Sequence, residues 1–266
     1  MVDIVPELLE KIEKDFEAAV ASDTKIQKFL RKVRDGTADM NETSLFARGL
    51  GDKLAEVLKK DITQSVLPDG RMYYNISDRI IRTMLEKNFA LTNEAAIEVQ
   101  KVMDEAAGFH LSPKQGELPT DRINSIVGAV SEEGIERDEV QRRMDEPVRN
   151  ISQSFMDDFV KANANFRYRS GIETKITRKL QGKACAWCKN LAGSYSYPDV
   201  PQDVYRRHDN CRCTVTFHSG RKRQDVWNKN TWSEPDQMEQ RKTIGLELTK
   251  RTRQQAKEKE AELMAK

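Results

Sequence analysis

All four cysteines of this 266-residue chain fall between Cys185 and Cys213; residues 1–184 and 214–266 contain none. With His208 they spell C-x2-C, then nineteen residues, then H-x2-C-x-C. Two residues between Cys185 and Cys188 let the chain turn so that both thiolates face one ion, about 2.3 Å from each sulfur. Cys211 and Cys213 are two apart, so on a strand both point to the same side. His208 precedes Cys211 by three and can replace one thiolate. Zinc takes four such ligands in a tetrahedron, and Cys185, Cys188, His208, Cys211 and Cys213 are the candidates. A segment of this size is marginal alone, and a structural zinc ion contributes about 10–16 kcal/mol of apparent binding energy to folding. Disulfides and unligated thiols packed as small hydrophobes are the two alternatives. Disulfides need an oxidising compartment, and the start of the chain, MVDIVPELLEKIEKDFE, lacks the basic head and apolar block of a secretory leader.

The rest of the chain reads as helix. Hydrophobic residues make up 38% and charged residues 33%, against averages of about 45–50% and about 25%. That balance favours an elongated, helix-rich shape with much solvated surface. No apolar run approaches the roughly 18 residues that span a bilayer, so no membrane anchor is expected. Leu8, Ile12, Phe16 and Val20 form one stripe at helical spacing, with a break and cap near Ser22–Asp23. Ile26, Phe29, Leu30 and Val33 continue to Gly36, and Phe46, Leu50, Leu54, Val57 and Leu58 form the next stripe. That stripe stops before the turn Pro68-Asp69-Gly70. Ile76, Ile80, Ile81, Met84, Leu85 and Phe89 predict a third, and Thr92 or Asn93 is placed to cap a fourth that ends at Gly108. Residues 109–119 carry Pro113, Gly116 and Pro119 and read as a loop. Ile123 to Val130 resumes the spacing. Asp138 with Gln141 suggests another start, and Pro147 is expected to kink or restart that helix.

Near Arg167 the texture changes. Ile172, Thr174 and Ile176 alternate with charged residues, and Ser194–Tyr197 and Thr214–Phe217 are two further strand candidates. Three regions follow: a helical region over 1–165, a small α+β Cys/His module over 166–230, and a polar helix over 231–266. Residues 167–230 hold 14 Lys/Arg against 5 Asp/Glu, although the whole chain is only +2. Arg206, Arg207, Arg212, Arg221, Lys222 and Arg223 surround the cysteines and are candidates for phosphate contact. Trp187, Tyr195 and Trp227 are candidates for base stacking; the competing reading makes Trp187 and the tyrosines core.

Residues 183–217 resemble the C-terminal module of phage head morphogenesis proteins, the minor head proteins that include the F protein of phage Mu. The likeness rests on Cys185-x2-Cys188, Leu191 with Gly193, Tyr195 and Tyr197, and His208-Asp209-Asn210-Cys211-Arg212-Cys213. Asp209 stands where that family commonly has proline. The resemblance implies a minor capsid protein present in few copies inside the head near the portal. It also implies a role in head assembly, DNA packaging or ejection, with portal, capsid or scaffold proteins and packaged DNA as partners.

Catalysis finds little support in the sequence. Of the three histidines, His110 and His218 read as surface residues, and His208 reads as a zinc ligand or a support for the site. No phosphate loop, H-E-x-x-H or G-x-S-x-G occurs. The expectation is therefore a non-enzymatic structural protein. A zinc-dependent nuclease or DNA-binding effector is the alternative.

Overall fold

The computed structural model describes residues 3–135, 137–182 and 184–220. Its architecture is mainly helical, with a three-stranded antiparallel sheet and a Cys/His cluster near the end of the described chain. The polar helix expected over 231–266, and with it Arg221, Lys222, Arg223 and Trp227, lies outside the described residues.

The apolar stripes become the core. Helix α1 (Val5–Ser22) buries Val5, Leu8, Ile12 and Phe16. Asp23 then separates it from α2 (Thr24–Arg34), and its carboxylate accepts from the backbone N–H groups of Lys25 at 2.9 Å and Ile26 at 3.0 Å. This satisfies donors that the new helix cannot pair internally. Helix α3 (Met40–Asp61) opens with a capping box. The Asp39 carboxylate accepts from the Glu42 N–H, and the Glu42 carboxylate accepts from the Asp39 N–H. It is the central helix, in contact with α1, α2, α5, α7 and the last strand. Gly51 is what lets α7 approach it: a Cβ there would lie 2.6 Å from the Cβ of Ser152.

The third and fourth stripes form one continuous helical run. A short α4 (Tyr74–Ser77) passes through a wider π turn at Asp78–Arg82 into α5 (Thr83–Ala107). The helix start expected at Thr92 or Asn93 is therefore absent, and both residues are buried inside α5. Tertiary contact outweighs the capping preference: Asn93 donates its amide to the Phe89 carbonyl at 3.0 Å and accepts from the Gly116 N–H at 2.7 Å. It thus fastens the irregular segment over 109–119 to the helix. Asn163 grips the same segment from the other side, donating to the Lys114 carbonyl and accepting from the Lys114 N–H. Gly108, in the left-handed region at φ 71°, ends α5 as its sequence predicts.

Helix α6 (Thr120–Val130) buries Ile123, Ile126, Val127 and Val130. Helix α7 (Arg137–Arg169) is continuous through Pro147, so the expected restart does not occur. One missing N–H costs a single backbone bond, and α7 packs on α3, α5 and α6 along its length. The helical part reaches Arg169, slightly past the expected 165.

The three predicted strands are present: β1 (Thr174–Lys179), β2 (Gly193–Ser196) and β3 (Thr214–Ser219), in the order β2-β1-β3. Ile176 of β1 sits opposite Tyr195 on one side and Phe217 on the other. The sheet rests on α7 and α3, and Ile176, Val215 and Phe217 join the helical core as one cluster. Arg167 seals that junction. It is buried, bonded to Asp104 of α5, with its guanidinium 5.0 Å from the Phe217 ring. No helix among the described residues is long and apolar enough to cross a membrane.

Two glycines in helices give opposite expectations. Gly51→Ala should lower stability by about 1–3 kcal/mol through overpacking against Ser152. Gly128→Ala, where nothing lies within 4 Å, should raise it by about 0.5–1 kcal/mol through helix propensity. Urea midpoints of the two variants test the pair, and equal shifts would contradict the α3–α7 contact.

Asp158 of α7 supplies a pH dependence. Burial, with the neighbouring Asp157 carboxylate, pushes its carboxyl up to about 7 from 3.8, against the charge of Arg122, and its Oδ2 is buried without a hydrogen-bond partner. The folded state holds this proton more tightly than the unfolded chain. Stability from this group is therefore full below about 4 and is lost as pH rises through about 7. Asp158→Asn should remove that slope and gain on the parent protein at alkaline pH. Urea melts at acidic and alkaline pH compare the two; parallel curves would refute it.

Candidate metal centre

The cysteine segment is assembled from two tight turns, each with two residues between its ligands. In the first, Cys185 caps the short helix α8 (Ala186–Asn190), and the Cys188 N–H donates to the Cys185 sulfur at 3.4 Å. In the second, the Cys211 N–H donates to the His208 carbonyl at 3.1 Å. Asn210 there takes the left-handed conformation, φ 59°, which asparagine tolerates better than most residues. The turns face each other across the end of the sheet. Cys188 Sγ lies 2.9 Å from His208 Nε2 and 3.7 Å from Cys211 Sγ, and Cys185 Sγ lies 3.3 Å from His208 Nε2.

Two triads result, Cys185–Cys188–His208 and Cys188–Cys211–Cys213, with all ligand atoms of each within 4.8 Å of one another. Cys188 belongs to both. Cys211 and Cys213 immediately precede β3 rather than lying in it, and both are buried. The four thiols are free, and the 3.7 Å between Cys188 and Cys211 is far from a disulfide bond of about 2.05 Å. It matches instead the edge of about 3.8 Å expected for two sulfurs each about 2.3 Å from a tetrahedral ion.

The histidine is oriented for this task. Its Nδ1 lies 2.6 Å from the Asp209 carbonyl, so Nδ1–H is the donor and the Nε2 lone pair faces the sulfurs. Metal-binding histidines are held in this way. Donor chemistry and geometry fit a thiophilic ion such as zinc.

Thiol electrostatics divide the four sulfurs. The Cys188 N–H holds Cys185 below the usual thiol value. Burial pushes Cys188 up. A hydrogen bond from the Cys213 thiol, the Cys213 N–H and the charges of Arg207 and Arg178 bring Cys211 down to about 4 against burial. The neighbouring Cys211 sulfur, with burial and Cys188, pushes the Cys213 thiol up.

The supports come from α3 and α7. Arg207 donates to both Asp157 oxygens, at 2.5 and 2.7 Å, and to the Cys213 carbonyl at 2.7 Å. Burial works against the Arg207 charge, and the Asp157 carboxylate outweighs it. Arg48 of α3 donates to the Cys211 carbonyl at 2.9 Å, and Gln153 of α7 to the Cys213 carbonyl at 3.2 Å. Glu146 accepts from the Asn210 N–H at 2.5 Å. The His208–Cys213 turn is thus fixed to a helical frame.

The expected phosphate contacts are only partly available. Arg207 is corrected outright: its side chain is fully buried and paired with Asp157, so it cannot meet a phosphate. Arg206 is 70% exposed with an ion pair to Asp203, and Arg212 is exposed. Trp187 is neither core nor free platform. It is 36% exposed and stands edge-on to His208, ring centres 5.5 Å apart. Tyr195 and Tyr197 pack against the core. His110 is exposed, whereas His218 is half-buried with Thr216 Oγ1 3.5 Å from its Nε2.

Sequence reasoning missed Arg178, Asp157, Arg48 and Gln153. Arg178 left a signal, because it continues the period-two phase of Thr174 and Ile176 and so falls on a core-facing position. Asp157 left none, because it stands two residues from both Phe155 and Phe159 and so falls opposite the apolar stripe, where a charge is unremarkable. Asp157→Ala should destabilise the fold by about 3–5 kcal/mol, since it leaves Arg207 buried and unpaired. Arg207→Met in the same chain should recover part of the loss. Urea denaturation measures both, and a single-variant loss below about 1 kcal/mol, the size of an exposed pair, would show the pair to be dispensable.

Compared with protein-family models, with curated proteins and with solved structures, the chain matches none.

Proposed function

We propose that this chain is a minor head protein of a tailed phage, with a structural role in head morphogenesis and in DNA packaging or ejection near the portal. The carrying observation is that the block resembling the head-protein module, residues 183–217, contains the whole Cys/His cluster. Its cysteine turn is tied by Arg48, Gln153 and Arg207 to the helices that precede it. Zinc is the ion proposed, held by cysteine thiolates and His208 as a structural centre. In a site of this kind the ion supplies cross-linking energy between the two turns. The chain's own part is to present deprotonated sulfurs, fix the imidazole tautomer through Asp209, and keep the centre packed against α7.

Portal and capsid or scaffold proteins are the proposed partners, with packaged DNA as a further contact through exposed arginines such as Arg212. The virion head is the proposed location. A structural role is favoured over a nuclease because the histidine faces sulfurs, and the metal-competent groups among the described residues contain no carboxylate. A hydrolytic centre would keep an open coordination position and a base for water.

Mass spectrometry of gradient-purified particles should find the chain in the head fraction, and elemental analysis of chelator-free protein should find about one zinc per chain. Absence from particles would remove the head-protein assignment. Metal-dependent nicking of plasmid DNA, lost in His208→Ala, would move the function to the effector class.

A further inference from the structure

Cys188 is the sulfur common to both triads of the cluster. On one side of it lies Cys185, which is exposed and has its sulfur within 4.8 Å. On the other lies Cys211, 3.7 Å away and as deeply buried as Cys188 itself. One guanidinium faces both buried sulfurs: Nη2 of Arg178 is 3.4 Å from Cys211 Sγ and 3.8 Å from Cys188 Sγ. The three cysteines therefore form a path from solvent to a buried pair.

The buried pair belongs to two different turns. Arg48, Gln153, Arg207 and Glu146 hold the turn over 208–213 to the helices, and none of these bonds reaches the turn over 185–188. Cys188 and Cys211 are 23 positions apart in sequence, so a bond between them closes a long loop and joins the free turn to the fixed one. A Cys185–Cys188 or Cys211–Cys213 bond would stay within one stretch and join nothing distant. The Cys188–Cys211 separation exceeds a disulfide bond by about 1.7 Å, a gap on the scale of a change in side-chain torsion.

We infer that the cluster is a site of oxidative modification, in which a peroxide arriving at Cys185 leads, through Cys188, to a buried Cys188–Cys211 disulfide that ties the two turns together. First, the Cys185 sulfur attacks a peroxide oxygen; the O–O bond breaks, Cys185 becomes a sulfenic acid, and hydrogen peroxide leaves one water. Next, the Cys188 sulfur attacks Cys185 Sγ; the S–O bond breaks, a Cys185–Cys188 disulfide forms, and the hydroxyl departs as water with the Cys188 proton. Last, the Cys211 sulfur attacks Cys188; the Cys185–Cys188 bond breaks, and Cys185 leaves as a thiol with the Cys211 proton. Two electrons pass from Cys188 and Cys211 to one peroxide, which becomes two waters.

The biological setting of this modification rests on the head-protein reading proposed above. A particle is assembled in a reducing cytoplasm and released to an oxidising exterior, where disulfides persist. The bond itself requires neither that reading nor a bound ion. An ion held by Cys188 and Cys211 is released as the bond forms, and the covalent link takes over the joining of the turns.

The test treats the purified full chain, reduced under nitrogen, with hydrogen peroxide and blocks the remaining thiols with iodoacetamide before tryptic mass mapping. Trypsin cuts after Lys189 and Arg212, so Cys185 and Cys188 share one peptide and Cys211 is parted from Cys213. The expected product is the Cys188 peptide linked to that of Cys211, with Cys185 and Cys213 alkylated. Cys211→Ser should lose this link and stop at Cys185–Cys188. Cys185→Ser should lose it over the time in which the parent completes it. A parent that forms no bond, stops at Cys185–Cys188 or joins Cys188 to Cys213, or a Cys185→Ser chain linked as fast as the parent, would overturn the inference and leave the head-protein assignment untouched. The parent map needs no variant, so it decides the matter even where a substitution prevents folding. Chain from released particles should carry the bond, and chain from acid-quenched cells should not; particles in which Cys188 and Cys211 are both alkylated would overturn the setting. If the chain is absent from particles, the head-protein reading falls, while the bond in the purified chain still supports the modification site.

Discussion

The pairing of Arg207 with Asp157 is the contact on which the Cys/His segment depends for its position. Asp157 projects from the middle of α7 into a region with no access to water, and Arg207 closes both its oxygens while also donating to the Cys213 carbonyl. Isolated, either charge would be too costly to bury; together, with the carbonyl as third partner, they are satisfied. Arg48 and Gln153 repeat the device on the backbone carbonyls of Cys211 and Cys213. The helices therefore hold the ligand-bearing backbone by directional bonds, and these set the register of the segment more narrowly than apolar packing alone would.

This arrangement explains how a sheet of only three strands can carry a well-ordered site. Its apolar contribution is small, and what it has, chiefly Ile176, Val215 and Phe217, is spent on docking to the helical core. The cysteine cluster is separate from that core. An ion linking two turns that are distant in sequence would supply the remaining order, on the scale of about 10–16 kcal/mol for structural zinc. Arg178 and the oriented imidazole of His208 lower the cost of gathering several sulfurs in one place. Polar staples and metal ligation thus act on opposite sides of the same few residues, the first on carbonyls and the second on side chains.

Most elements could be read from periodicity and caps. The stripes of α1, α3 and α6, the Asp23 cap, the left-handed Gly108 and the three strands all follow from local preference. Asn93 and Pro147 misled as helix starts because each is a strong local signal overridden by tertiary contact. Asn93 is consumed by the Gly116 N–H, and the lost bond at Pro147 is outweighed by packing on three helices. The ligand-type residues were visible as a motif, since spacing is a one-dimensional property. Their supports were not, because Arg48 and Cys211 are 163 positions apart and Arg207 and Asp157 are 50 apart. The basic cluster misled at Arg207 for the same reason: a charge count cannot tell a cation facing solvent from one facing a buried carboxylate.

The separation of those partners also orders events during synthesis. The ribosome releases α3 and α7 before the residues that complete them, so Arg48, Gln153 and Asp157 leave the exit tunnel without their final partners. Until the His208–Cys213 stretch follows, Asp157 must stay hydrated, and the nascent helical bundle has one polar flank open. Closure of that flank waits for the release of residues 207–213, and domains generally fold as units in the order they emerge. A chain ending before residue 207 would leave the helices with a charged, unfilled slot at Asp157.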